Sequence, residues 1–443
     1  MTHRATPEDP VRHQSEILEA LGVSPTTGGL YSQVLQRMLS AAETIGMPRE
    51  QQLILSKPKN TITVNFPVLM DDGEYQLFTG MRVQHNDALG PFKGGLRFAP
   101  RMSANDVGGL ALLMMLKTSL LRLPFGGAAG GVVCDPSLLS REELMRVVRR
   151  FAASIAHHIG PDYDVPGPDV GADAQVMAWF ADTAAQMTPD RSRQGMRAIV
   201  TGKPPELGGA TGREIALGTG FIHIVRDMIP DFNLKFQGLR IAVAGMGRMG
   251  GQVARMMTGE GAILVGALDR RGGILSEGGI ESEAAVERLH STGSLVGLPG
   301  TTAVDEEHFY RAKPDMLILA AGESIVTGKI AEWIGAPVVA EVAHAPWTAD
   351  GDDVLFQRGV DVIPSVLCNS GAVVGSYLEW VQNRSFTPWS PTEFDRQIEQ
   401  HVVLGARRVK LARMRFETDW RTAAYAAALE NLGRVYDLRG IFP

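Results

Sequence analysis

The stretch 239-LRIAVAGMGRMGGQVARMM-257, continued by 262-AILVGALD-269, decides how this chain is read. Its first residues are apolar and suit a buried strand. Glycines then interrupt the run, small apolar residues return at helical spacing, and a second apolar strand follows. The unit is βαβ. Within it, 245-GMGRMG-250 fits G-x-G-x-x-G. Gly245 permits the tight turn, Gly247 lets the backbone approach a pyrophosphate, and Gly250 allows the helix to sit close to the strand. The helix N-terminus attracts the anion. Asp269 ends the second strand, nineteen residues after Gly250, where a carboxylate can accept from the hydroxyls of the adenosine ribose. A glycine motif alone is a weak signal; strand, helix and acidic end together point to a dinucleotide. Asp269 favours NAD, whereas Arg270 and Arg271 could pair with the 2′-phosphate of NADP. The cofactor expected is NAD or NADP, with NAD slightly favoured.

Further apolar strands follow at 315–321, 337–343 and 361–367, alternating with helical text, and imply a doubly wound, mostly parallel sheet. From residue 373 the chain reads as helical to its end. Upstream, the character is different. Helical spacing from Ser15 to Glu43 is broken by 24-SPTTGG-29. Two stretches, 61-TITVNFPVLM-70 and 75-YQLFTGMRVQH-85, are rich in β-branched and aromatic residues and are linked by the hairpin turn 71-DDGE-74. A helix is expected from Ser103 to Leu121, with Ser103 as N-cap and Asp106 three residues on, and another over 141–158. The segment 159-IGPDYDVPGPDVGAD-173 reads as a loop, 90-GPFKGGLRF-98 as a glycine-bearing loop, and 124-PFGGAAGG-131 as a tight glycine-rich turn. The fold class is therefore α/β with two domains, an α/β substrate domain and a Rossmann domain. The boundaries expected are 1–205, completed by C-terminal helices at 373–443, and 206–372.

A length of 443 residues suits two domains, and 44% hydrophobic with 21% charged residues is ordinary for a soluble chain. The net charge of -6 argues against a nucleic-acid partner. Cys134 and Cys368 supply neither a disulfide framework nor a metal cluster. No run reaches membrane-spanning length, and the N-terminus has no apolar core of a signal peptide, so the expected location is cytoplasmic.

Three charged residues stand out. Lys117 has Leu113, Met114, Leu120 and Leu121 as its helical neighbours. One reading is a lysine snorkelling from a helix end; the other is an ammonium held for a ligand carboxylate. Lys93 lies among glycines that allow a close ligand approach, although an exposed loop lysine has the same pattern. Asp169 lies in 166-PGPDVG-171, a rigid segment that could aim a carboxylate or form an Asx turn.

These residues sit in segments that resemble, in order, the glutamate/leucine/phenylalanine/valine dehydrogenase family, closest to its glutamate dehydrogenase branch. The segments are 83-VQHNDALGPFKGGLRF-98, 117-KTSLLRLPFGGAAGG-131, 166-PGPDVG-171, 200-VTGKPPELGG-209, 364-PSVLCNSGAVVGSYLEWVQN-383 and 421-RTAAYAAALENL-432. The resemblance implies oxidation of an L-amino acid to a 2-oxo acid and ammonia, with hydride passing to the nicotinamide, in a cleft between two domains of a homo-oligomer, a hexamer in this branch. It further implies that Lys117 holds the α-carboxylate and that Lys93, assisted by Ser376, meets a side-chain carboxylate. Asp169 would shuttle protons, and Asn369 would lie near the nicotinamide.

Departures fall in the same motifs. Where the family has GGAKGG this chain has 126-GGAAGG-131, so Ala129 occupies the position of the catalytic lysine. That lysine activates water and polarises the reacting carbon, and losing one such proton-transfer group costs roughly 10²–10⁴ in rate. Leu217 stands where the family usually has threonine, and 341-EVAHAPW-347 replaces a glycine–alanine–asparagine–glycine run, bringing in His344, which either faces the cofactor or is packed. Three functions are compatible with this pattern: a weak or altered amino-acid dehydrogenase, an imine or amine oxidoreductase on the same frame, and a non-catalytic paralogue that binds nucleotide and amino acid.

Overall fold

The computed structural model describes residues 17–18, 29–187 and 196–441. The chain divides into two units. One comprises the residues up to Thr211 with Ser376–Trp389 and the chain from Tyr425 onward; the other comprises Gly212–Gly375 and Ser390–Ala424.

The first unit is built on a five-stranded mixed sheet. Its strands are β1 (Asn60–Leu69), β2 (Tyr75–Asn86), β3 (Phe92–Ala99), β4 (Gly127–Val133) and β5 (Asp164–Pro168), in the order β1-β2-β4-β3-β5. The expected hairpin is present, with β1 and β2 antiparallel and Leu69 opposite Tyr75. Helix Ala104–Leu120 begins at a capping box in which Ser103 and Asp106 satisfy each other's backbone amides. It is apolar almost all round and is buried on nearly every face. Helices Arg141–Ile155 and Ala174–Gln186 place Phe151 and Phe180 in a core with Phe66 and Phe78 from the hairpin. The expected helical run before the 24–29 break lies outside the described residues except for Ile17 and Leu18, and after it the helix is Leu30–Thr44.

Three expected loops are strands. Most of the expected glycine turn 124–131 is strand: from Gly127 on it forms β4, antiparallel to β2 and parallel to β3. The supposed loop 90–98 is β3, and part of the supposed loop 159–173 is β5. Glycine and proline have low strand propensity, but prolines are tolerated on an edge, where β5 lies. Glycines are required where backbones come unusually close. A Cβ on Gly94 would fall 1.5 Å from the Ala128 carbonyl oxygen, and one on Gly127 would fall 2.4 Å from the Met115 nitrogen in the overlying helix.

The second unit carries a seven-stranded sheet. Strands β6 (Arg240–Ala244), β7 (Ile263–Asp269), β10 (Met316–Leu319), β11 (Val338–Glu341) and β12 (Asp361–Ile363) are parallel; on one edge β8 (Gly272–Leu275) pairs antiparallel with β7, and β9 (Thr302–Val304) pairs antiparallel with β8. The order is β12-β11-β10-β6-β7-β8-β9. This is the expected doubly wound arrangement.

The domain limits differ from expectation by a few residues at the inner boundaries, Thr211 and Gly375, and by one whole helix. Helix Pro391–Phe416 belongs to the second unit, not the first. Phe394 lies against Gly212 and Ile398 against Gly220, while the Lys410 ammonium reaches the Asp227 and Asp231 carboxylates at 2.9 and 2.7 Å. Those contacts hold this helix on the Ala216–Met228 helix. The chain returns to the first unit within the last helix, Trp420–Arg439, as it also does within Gly371–Ser385.

Candidate active site

Strand alternation builds the first part of the site. Lys93, Gly95 and Arg97 of β3 present side chains to one face. A Cβ on Gly95 would meet the Asp169 Cβ at 2.6 Å, so Asp169 sits over the glycine. Arg97 reaches it with Nη2 3.4 Å from each carboxylate oxygen, and the Val170 amide donates to Oδ1 at 2.7 Å. Asp169 thus lies between positions that carry two cations. Lys93 is buried, which overturns the exposed-loop reading. Its ammonium lies 2.9 Å from where a Cβ on Gly167 would stand, and the Thr201 hydroxyl is 3.0 Å from the same point. The Thr201 Oγ1 is buried without a hydrogen-bond partner.

The position of these groups is braced from beneath. Arg82 and Asp164 form an ion pair with both side chains at 0% exposure and a shortest contact of 2.5 Å. Arg82 also donates to the Gly94 and Gly95 carbonyls at 3.3 and 3.1 Å, and Gln84 adds a bond to Asp164 at 2.8 Å. A buried pair of this kind contributes little net stability but defines geometry, here the β3 backbone that carries Lys93.

Lys117 is fully buried in helix Ala104–Leu120 and does not snorkel. Ser376 is buried at the start of the first unit's share of helix Gly371–Ser385. Three residues on, Glu379 accepts from the Gly202 amide and from the Lys203 ammonium, both at 2.8 Å. Residues three apart share a helical face, so Ser376 is carried toward the segment that holds Thr201. Tyr377 and Trp380 pack edge-on against Phe125, at 6.0 and 5.2 Å between ring centroids, just before β4.

Ala129 lies in β4 opposite Val83 and is 3% exposed. Its backbone nitrogen is 3.2 Å from where a Cβ on Gly94 would stand, next to Lys93. A methyl group occupies this place. The thiol of Cys134, just past the end of β4, stays protonated near neutral pH: burial, reinforced by the Asp135 charge, pushes it up to about 12.

The second unit holds the other candidates. Gly245 has φ 97°, a left-handed value, and a Cβ there would fall 2.6 Å from the Ala321 nitrogen. Gly250 packs its Cα side against the Gly245 carbonyl oxygen, 2.0 Å from a built Cβ. Gly247 is different, since nothing lies within 4 Å of its absent Cβ. It is the N-cap of helix Arg248–Gly259 and offers no side-chain cap, which leaves the first amides of that helix available to an anion. Asp269 accepts backbone hydrogen bonds from Arg271 and Leu295 at 2.5 Å and from Gly272 at 3.2 Å. Arg271 is directed to the Thr292 carbonyl at 3.3 Å. Asn369 donates to the Val342 carbonyl at 3.1 Å and to His344 Nδ1 at 3.2 Å. The Asn369 Oδ1 and the Ser370 Oγ are buried without hydrogen-bond partners. An open glycine cradle and two buried polar atoms left unsatisfied fit a dinucleotide.

Comparison with known proteins supplies the family. Residues 58–186 match the family model described as Glu/Leu/Phe/Val dehydrogenase, dimerisation domain, and residues 208–440 match that of glutamate/leucine/phenylalanine/valine dehydrogenase. The chain belongs to this dehydrogenase family. The NADP-specific glutamate dehydrogenase of a Synechocystis species is 36% identical over 422 residues, covering 93% of this chain and 98% of that one. The cryptic catabolic NAD-specific glutamate dehydrogenase of Bacillus subtilis is 35% identical over 403 residues, covering 90% and 93%. The crystal structure of a hetero-hexameric glutamate dehydrogenase from Thermus thermophilus, in a leucine-bound form, superposes with a TM-score of 0.87 at 35% identity and full coverage of both chains.

The protein is thus an amino-acid dehydrogenase-like oxidoreductase of the NAD(P) type. Among the described residues no helix is long and apolar enough to cross a membrane. Sequence reasoning missed Arg97, Thr201 and the Arg82–Asp164 brace, although all four residues lie inside the quoted stretches. The period-two alignment of Lys93 with Arg97 was the available signal, and it is visible only if 90–98 is taken as a strand.

Proposed function

We propose that this dehydrogenase binds a nicotinamide dinucleotide on its second unit and an amino acid or its 2-oxo acid on its first, and turns them over slowly because Ala129 supplies no base. The observation that carries this reading is the β3 face: Arg97 reaches Asp169, which sits over Gly95, Lys93 is buried two residues along the same strand, and the neighbouring β4 position holds a methyl group. In this reading Lys117 and Lys93 bind carboxylates, with Ser376 assisting Lys93, and Asp169 moves the amino-group proton. Gly245, Gly247 and Gly250 receive the pyrophosphate, and Asn369 lies at the nicotinamide. The bound nicotinamide supplies hydride acceptance and donation. Asp269 favours NAD, because a carboxylate at the ribose repels a 2′-phosphate. The chain assembles as an oligomer, in line with the dimerisation description of residues 58–186.

A second reading is a binding subunit without turnover. It is favoured by Ala129 together with the likeness to a protein whose hexamer is mixed.

The test is absorbance of NADH and NADPH with 2-oxoglutarate and ammonia, then with a panel of other oxo acids, at high protein concentration. Turnover supports the slow enzyme and names its substrate. Cofactor binding without turnover moves the binding subunit ahead.

A further inference from the structure

We infer that His344 is a positioning residue that fixes the orientation of the Asn369 amide, so that a buried acceptor faces the carboxamide of the nicotinamide. The inference rests on the dinucleotide reading above.

An asparagine amide has two N–H donors and one acceptor oxygen. Both donors of Asn369 are engaged, one by the Val342 carbonyl at 3.1 Å and the other by His344 Nδ1 at 3.2 Å. For the second bond Nδ1 must present its lone pair, which places the ring proton on Nε2. With both donors held, the amide cannot rotate end for end without losing two hydrogen bonds. Its Oδ1 is therefore fixed in place, and it is buried without a partner. A buried acceptor left unsatisfied is costly unless a ligand supplies a donor. The hydroxyl of Ser370, the next residue, is in the same condition.

Position says which ligand. Val342–His344 directly follows β11, and Asn369 follows β12 after one short helix, Ser365–Cys368. Both lie beyond the C-terminal ends of parallel strands. The strand order reverses between β6 and β10: β6 leads outward to β7 and Asp269, while β10, β11 and β12 lie on the other side. A dinucleotide spans such a reversal. With its adenosine toward Asp269, its nicotinamide half lies over β10–β12. A primary carboxamide carries the N–H donors that Oδ1 lacks and the carbonyl that a serine hydroxyl can meet. The chain also turns sharply after His344, with Ala345 at φ 38° and its amide 3.4 Å from the Ser365 hydroxyl, which sets the histidine's place.

The experiment is calorimetric titration with NADH and with ADP-ribose, which has the adenosine and pyrophosphate but no nicotinamide. His344→Leu should weaken NADH binding about tenfold and leave ADP-ribose unchanged. His344→Asn, which keeps a side-chain acceptor, should restore NADH binding to within about threefold of the wild type. Asn369→Leu should reproduce the selective loss, and it serves if His344→Leu does not fold. Unchanged NADH binding in His344→Leu, or an equal loss of both ligands, or no rescue by His344→Asn, overturns the inference. If the wild type binds ADP-ribose but the Asn369→Leu variant binds NADH normally, the acceptor is misassigned and the inference fails while the dinucleotide reading stands. If the wild type binds neither ligand, the dinucleotide reading fails and takes this inference with it.

Discussion

The two glycine-rich segments of this chain, 126-GGAAGG-131 and 245-GMGRMG-250, look alike on paper and do different things. In the first, protein fills the space that each side chain would need. A Cβ on Gly131 would fall 1.7 Å from the Arg97 carbonyl oxygen, and one on Gly126 would fall 1.9 Å from that of Asn86. In the second, Gly245 and Gly250 are equally crowded, but Gly247 faces open space. Glycine content therefore does not identify a ligand cradle. What separates these two segments is that Gly247, at the N-cap of a helix that follows a buried parallel strand, has nothing within 4 Å of its absent Cβ, whereas every glycine of the first segment is crowded.

Four predictions can break or sharpen that contrast. The largest effect is expected at the non-glycine centre of the first segment. Ala129→Lys should raise the rate with 2-oxoglutarate and ammonia by roughly 10²–10⁴, measured as kcat by NADH absorbance. No gain would mean that Leu217, His344 or their neighbours have remade the site. Next, Gly131→Ala should destabilise the protein by about 3–5 kcal/mol or prevent folding, because φ is 148° and the carbonyl contact is with backbone. Urea denaturation reads this, and a wild-type midpoint would refute the close-packing account.

The third concerns acid. His85 precedes the Asn86 carbonyl that crowds Gly126; it is fully buried, and its Nε2 donates to the Leu55 carbonyl at 2.8 Å. Burial pushes its pKa down to about 4 despite that bond. The unfolded chain, with an ordinary histidine near 6.5, binds the proton first, so stability is full above that value and is lost as pH falls toward 4. Between pH 7 and pH 5 the loss is about 2 kcal/mol. His85→Gln should flatten this part of the melting profile, and an unchanged acid limb would assign it elsewhere. The smallest effect belongs to the open glycine. Gly247→Ala should leave the melting temperature unchanged and weaken dinucleotide binding about tenfold, near 1.4 kcal/mol. A drop in stability would remove the contrast between the segments.

Elements with regular local patterns were legible. The hairpin 61–85, the capped helix at Ser103 and the βαβ unit at 239–269 are found where their spacing predicts. The strands β3, β4 and β5 were not, because glycine and proline carry turn information in isolation and become strands only against a close neighbour or on an edge. The sequence pattern places helix Pro391–Phe416 with the first unit, and the structure with the second, for a related reason: its apolar stripe says that it packs, not on what.

The candidate site divides in the same way. By itself the sequence determined the α/β class and the G-x-G-x-x-G motif, because these depend on residues adjacent along the chain. Only the tertiary structure decided that Lys117 is wholly buried, that Asp169 sits over Gly95 within reach of Arg97, and that Asn369 is held by His344. Those facts join segments 25 to more than 70 residues apart. Burial and hydrogen-bond partnership are set by which distant backbones meet, and local spacing carries no record of that.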